Sequence, residues 1–158
     1  ELKIRGSSYF PGMEPEWSDL HTQMMHQVID QMMPVHRFLG ITLKEVEAHR
    51  AVLALPFRPE LVGDPRTDRW HGGMVAALLD SAGGAAAITT LGNPDDQCSS
   101  VDIRIDYLEA GQPLDLLAEG KIVRNGSAVI FTEMKAWHPA NGTVIAHARA
   151  VYRVKRSL

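Results

Sequence analysis

Between Gly72 and Pro94 the chain carries one charged side chain, Asp80, within residues 71–92, HGGMVAALLDSAGGAAAITTLG, a run otherwise built mostly of small and apolar residues. No other stretch limits the fold as strongly. A segment this apolar has to be buried, but Asp80 at its centre and the glycines, serine and threonines around it suit a buried helix better than a bilayer span. Beyond Pro94 the pattern switches to period two. Val101, Ile103, Ile105 and Tyr107 share one parity, as do Leu114, Leu116, Ala118, Gly120 and Ile122, and then Val144, Ala146, Ala148, Ala150, Tyr152 and Val154. Such alternation marks half-buried antiparallel strands. Turn signals at 109–113 (EAGQP), 124–126 (RNG) and 139–142 (PANG) suggest about four strands joined by hairpins. Upstream, ITLKEVEA and AVLALPF read as two further strands turning around His49 and Arg50, and RPELVGDPRTDRW as a loop. Several one-faced strands and one helix apolar nearly all round are satisfied together only if the sheet curls about the helix. The expected class is therefore α+β, a curved antiparallel sheet wrapped around one long central helix.

An N-terminal helix completes this layout. Residues 1–15 carry Gly, Pro and Ser without a period and read as a flexible arm, and residues 16–33 place Trp17, Leu20, Met24, Val28 and Met32 on one helical stripe that Pro34 ends. Five of the seven methionines fall in the first 33 residues. Methionine fills irregular apolar gaps, so this helix either covers a sheet or dimer edge or lies as a lid over a lipid-like ligand. Residues 16–158 are expected to form a single domain.

The gross numbers exclude some functions. Of 158 residues, 45% are hydrophobic and 22% charged, and the formal net charge is -3, which gives no electrostatic support to a nucleic-acid partner. The single cysteine, Cys98, cannot form an internal disulfide, and a cytoplasmic protein without a membrane partner is expected. The seven histidines show no metal-binding spacing, so no metal is expected.

On a helical wheel the residues three, four and seven positions from Asp80 are Gly73, Ala76, Ala77, Gly83, Gly84 and Ala87, all glycine or alanine. Val75, Leu78, Leu79, Ala82 and Ala86 form the bulkier stripe that would pack on the sheet. Glycine inside a helix costs about 1 kcal/mol against alanine, so Gly83 and Gly84 imply that another backbone or a ligand comes close. His71 stands at the helix start. The amides of Gly72 and Gly73 would point outward there with the positive end of the helix dipole, placed to stabilise an oxyanion. Gly72 and Asp80 are eight residues apart, roughly 12 Å along the axis at 1.5 Å per residue, too far to act on one carbonyl. Two such helices packed antiparallel about a two-fold axis would bring Asp80 of one chain to the helix start of the other. A homodimer with two equivalent sites is expected.

The run HGGMVAALLDSAGG resembles the hotdog-fold acyl-CoA thioesterases of the phenylacetate-degradation type, in which HGG is followed, nine residues after the histidine, by an acidic residue on the central helix. SVDIRIDYLEAG, AEGKIVRNG and VIFTEMKAWHPANGTVIAHARAVYRV are similar to the later strands of that family, so the likeness covers about residues 38–155. The resemblance implies a hotdog fold, a homodimer or dimer of dimers, an acyl-CoA substrate and no cofactor, coenzyme A being part of the substrate. It also implies catalytic roles for Asp80, as nucleophile or general base, for the Gly72 amide, which polarises the carbonyl, and for Ser100, which positions water or carboxylate, with His71 mainly structural. Ser99 and Ser100 compete for that place, because Ser99 has the parity of the apolar residues on its strand and Ser100 that of Asp102 and Arg104. Asp64 stands where members often carry asparagine before HGG. Gly73, Trp70 and Arg124 complete the substrate-binding candidates, with Trp137, Arg153, Lys155 and Arg156 as further possible contacts for the acyl group and coenzyme A phosphates. Two rival functions are a non-hydrolytic acyl-CoA-binding sensor or carrier, which would have no use for a buried carboxylate, and a hydratase, which on this fold needs a histidine near the aspartate that the chain lacks.

Overall fold

The computed structural model describes residues 17–157, so the arm expected at residues 1–15 lies outside them. Eight strands and three α-helices form in chain order. They are α1 (Asp19–His26), α2 (Pro34–Leu39), β1 (Thr42–Glu47), β2 (Arg50–Leu55), β3 (Val62–Asp64), β4 (Arg69–Trp70), α3 (Gly72–Ile88), β5 (Gln97–Tyr107), β6 (Leu116–Asn125), β7 (Val129–Trp137) and β8 (Val144–Lys155). Six of the strands make one antiparallel sheet in the order β1-β2-β6-β7-β8-β5, and β3 and β4 pair separately. The long helix α3 packs on the inward rows of β2, β6 and β7. Leu78, Leu79, Ala82 and Ala86 are fully buried there, as are Leu53, Ala118, Ile130 and Ala136 from the strands. This is the hotdog arrangement, α+β, expected from one apolar helix and several one-faced strands.

The helix lies unusually close to its sheet. A Cβ on Gly120 of β6 would collide with the carbonyl of Ala82, and a Cβ on Gly83 would sit 2.6 Å from the Tyr152 hydroxyl. The space implied by Gly83 is thus taken by the chain's own sheet. Ala87, expected on the Asp80 face, is likewise turned inward and fully buried. What stays partly open is a narrower stripe of Gly73, Ala76, Ala77, Asp80 and Gly84.

The late strands differ from a simple run of hairpins. RNG and PANG do turn β6 into β7 and β7 into β8, but EAGQP carries the chain from the edge strand β5 across to β6, beside β2. Among the described residues β5 pairs only with β8. Turn residues reveal a change of direction, not which strand becomes the neighbour.

The N-terminal helix is also shifted from its expected face. Ser18 caps α1 in a box with His21, and from Gln27 to Met32 the helix widens to π geometry before Pro34 opens α2. The buried side chains are Met25 and Ile29, while Leu20, Met24 and Met32 are exposed. The buried face runs one position along from the expected stripe, already at Met25 of α1, with Val28 half-buried beside it. Two polar ties hold this segment down: the Leu43 N–H donates to Asp30 at 2.7 Å, and the buried His36 ring bridges the Ile29 carbonyl and the Ser81 hydroxyl, each at 2.9 Å. Among the described residues no helix is long and apolar enough to cross a membrane.

Candidate active site

The start of α3 is set by His71, whose backbone is extended (φ -67°, ψ 127°) and whose ring Nδ1 accepts the Gly73 N–H at 2.9 Å. That contact leaves the neutral ring its proton on Nε2 and makes His71 the helix cap. It also removes one of the two amides expected to be free. The Gly72 N–H has no acceptor among the described residues, and it stands where the dipole of a 17-residue helix is most positive. Tyr107, at the end of β5, closes one side of it by donating its hydroxyl to the Gly72 carbonyl at 2.8 Å.

Two helical turns further on, the half-buried Asp80 carboxylate is held by groups from two strands. Oδ1 accepts the Ser100 hydroxyl of β5 at 2.7 Å and the Tyr152 hydroxyl of β8 at 3.1 Å, and the same phenol reaches the Asp80 carbonyl at 2.8 Å. Oδ2 has no hydrogen-bond partner, and no cation lies within ion-pair distance of Asp80, among the described residues. Burial, and then the charge of Asp80, push the Tyr152 phenol far above the usual tyrosine range, so it remains a donor. The same two causes push the thiol of Cys98, one inward position before Ser100, up to about 11.

Ser100, not Ser99, meets the carboxylate, and a β-bulge explains why. Ser100 pairs with Tyr152 and Asp102 with Val151, so Val101 is an extra residue without a partner, 63% exposed. Before the bulge the inward residues are Cys98 and Ser100, and after it Ile103 and Ile105. Counting parity through Val101 therefore puts Ser99 inward, whereas it faces out and is exposed. The clash between an apolar Cys98 at an even position and apolar isoleucines at odd ones was the available signal for a break in phase.

The remaining candidates divide. Trp70 is buried, donates its Nε1–H to the Leu114 carbonyl at 3.0 Å, and with Gly72, Val75, Tyr107, Leu108 and Ile145 lines a cavity of about 290 Å³ beside the helix start. Asp64 closes its own turn, binding the Arg66 guanidinium at 2.9 Å, and that contact holds its carboxyl below the usual range. Arg124 stands exposed on β6 opposite Phe131, two strands from the Asp80 anchor on β8. Arg156 grips the β6–β7 turn through the Ser127 carbonyl at 2.7 Å, and Trp137 lies under the Lys135 ammonium at 5.2 Å. Arg153 and Lys155 are exposed along β8. Within one chain the geometry thus yields two half-sites: a free amide beside a cavity whose mostly apolar walls also include Glu109, and an anchored carboxylate with one open oxygen. Sequence reasoning missed Tyr152 as part of the second, having placed it only on an inward strand row.

Comparison with known proteins bears on what these halves do. The model of a family described as the thioesterase superfamily matches residues 68–145, a span that includes the helix start, Asp80, Ser100 and most of the late strands. The medium/long-chain acyl-CoA thioesterase YigI of Escherichia coli is 30% identical over 134 residues, covering 77% of this chain and 86% of that protein. A crystal structure from Shewanella oneidensis, related to the thioesterase superfamily, superposes with a TM-score of 0.76 at 25% identity over 87% of this chain and 99% of its own. The PaaI protein of the phenylacetic acid degradation operon of Escherichia coli shares the fold, with a TM-score of 0.75 at 16% identity over 85% of this chain and 93% of its own.

Proposed function

The chain belongs to the thioesterase superfamily, and on that premise we propose that it hydrolyses an acyl- or aryl-CoA thioester to the free acid and coenzyme A, using a site shared between two copies of the chain. The observation that carries the proposal is the Asp80 carboxylate, anchored at Oδ1 and open at Oδ2, with no cation to neutralise it among the described residues. A carboxylate in that state is available as base or nucleophile. The open stripe of Gly73, Ala76, Ala77 and Gly84 supports an antiparallel pairing of two α3 helices, as in the phenylacetate-type enzymes that the motif resembles.

In that pairing the thioester carbonyl of the substrate accepts the Gly72 N–H of one protomer, and Asp80 of the partner protomer faces the carbonyl carbon. As general base, Asp80 Oδ2 takes a proton from water while the water oxygen bonds to the carbon, and the amide stabilises the resulting oxyanion. Collapse breaks the C–S bond, and the sulfur leaves as thiolate and takes up a proton. If Asp80 attacks directly, the same oxygen forms a mixed anhydride that water then opens, and the products are identical. The cavity walled by Trp70, Val75, Leu108 and Ile145 supports an apolar acyl group beside the amide.

The test is thiol release from a panel running from acetyl- to palmitoyl-CoA, with phenylacetyl- and benzoyl-CoA, by the wild type and Asp80→Asn. The variant is nearly isosteric and should fold, while turnover falls by about 10²–10⁴-fold. Undiminished turnover would remove Asp80 from the chemistry. Tight binding of acyl-CoA without release of thiol by the wild type would favour a non-hydrolytic sensor or carrier.

A further inference from the structure

Ser100 and Tyr152 come from adjacent strands and converge on a single oxygen of Asp80, at 2.7 and 3.1 Å, leaving the other oxygen without a partner among the described residues. We infer that Tyr152 is a positioning residue for hydrolysis: together with Ser100 it fixes Oδ1, so that Oδ2 alone is presented to the reacting water or carbonyl. The inference rests on Asp80 being the reacting group.

Three observations support it beyond the contacts themselves. Tyr152 is only 2% exposed, so any part it takes in the reaction runs through Asp80 and not through contact with substrate. The helix gives up a side chain for it, since a Cβ on Gly83 would lie 2.6 Å from the phenol oxygen. The phenol also binds the Asp80 backbone carbonyl at 2.8 Å, which ties side chain and backbone of one residue to a single point on β8. A carboxylate bound at one oxygen by two donors loses rotation about its terminal bond. The groups that face Asp80 are Ser100 and the Cys98 thiol from β5 and Tyr152 from β8; Thr132 and Met134 of β7 reach the Gly83 side of the helix and are neutral. No positive charge competes with the two hydroxyls for control of the carboxylate among the described residues.

The experiment measures kcat and KM, with thermal unfolding beside them, for the full-length wild type, Tyr152→Phe, protein carrying 3-fluorotyrosine at position 152, Ser100→Ala, the double variant and Asp80→Asn, using whichever acyl-CoA the wild type hydrolyses best. Losing a donor should leave Asp80 less well aimed. Tyr152→Phe should then lower kcat about tenfold and leave KM within about twofold, with Ser100→Ala acting the same way and the double variant further. The 3-fluorotyrosine protein keeps the hydroxyl at nearly unchanged shape and should keep kcat within about twofold, which separates loss of the donor from loss of packing even where the Phe variant folds poorly. A kcat that stays put in Tyr152→Phe while Ser100→Ala lowers it would make Tyr152 a packing residue and overturn the inference. Full activity in Asp80→Asn would overturn the underlying function instead, so the two failures are told apart.

Discussion

Cys98 lies on the inward row of β5 that also carries Ser100, and its thiol is held up to about 11 by burial and by the charge of Asp80. Because only the thiolate is a good nucleophile, the native protein should react with a thiol reagent at pH 8 far more slowly than the unfolded chain, by about a hundredfold or more. Labelling followed by mass spectrometry, with and without denaturant, reads this directly, and fast native labelling would show that Cys98 is not shielded as described. At this scale the sequence exposed Asp80 and Gly72, because a lone charge in an apolar helix and glycines at a helix start are visible without coordinates. Tyr152 was not visible as part of the site. It is 72 residues from Asp80, and a tyrosine on an inward row looks like any other core aromatic until the strand order is known. Gly73 was read as a free amide because spacing does not reveal that the His71 side chain turns back on its own helix to accept the Gly73 N–H.

In the strand β5, the bulge separates what pairs from what merely occupies the chain. Ser100 and Asp102 already face consecutive residues of β8, and Val101 between them is surplus to the ladder. Deleting Val101 should therefore preserve the pairing and leave Ser100 turned inward, with a change in melting temperature of no more than a few degrees, whereas deleting Ile105 should shift every later residue to the wrong face and cost about 2–4 kcal/mol or more. Thermal unfolding of the two deletion variants checks this, and equal losses would argue that the bulge is a structural requirement. Elements with a clean period were legible: the central helix, β6 to β8 and the two hairpins between them. A bulge inserts a phase change that a fixed period cannot represent, which is why strand parity pointed to Ser99 beside Asp80 while the family resemblance pointed to Ser100.

For the whole molecule, the distance along α3 between the Gly72 amide and the Asp80 carboxylate, roughly 12 Å at 1.5 Å per residue, makes a single copy incomplete for the proposed chemistry. Ala76 is half-exposed on the open stripe between them. Ala76→Trp should leave the single chain folded, because the new side chain points away from the sheet, yet block the close approach of a second helix. Analytical ultracentrifugation should show monomer, and turnover should drop at least a hundredfold in parallel. A monomeric variant with full turnover would mean that each copy carries a complete site. The sheet order was the least legible feature at this scale, since the crossing from β5 to β6 depends on which edge is free and not on any residue in the connection. The contact between Gly83 and Tyr152 has a further consequence, for inheritance. A lineage that keeps the phenol must keep the glycine, because a methyl group there would occupy the oxygen's place. One that loses the hydroxyl to phenylalanine can drift to alanine on the helix only if Met134 Sδ, 2.9 Å from the new methyl, and Thr132 Oγ1, 3.1 Å from it, also give way, and once it has done so the way back is closed. The two positions, 69 residues apart in the chain by subtraction of 83 from 152, should be passed on as one character.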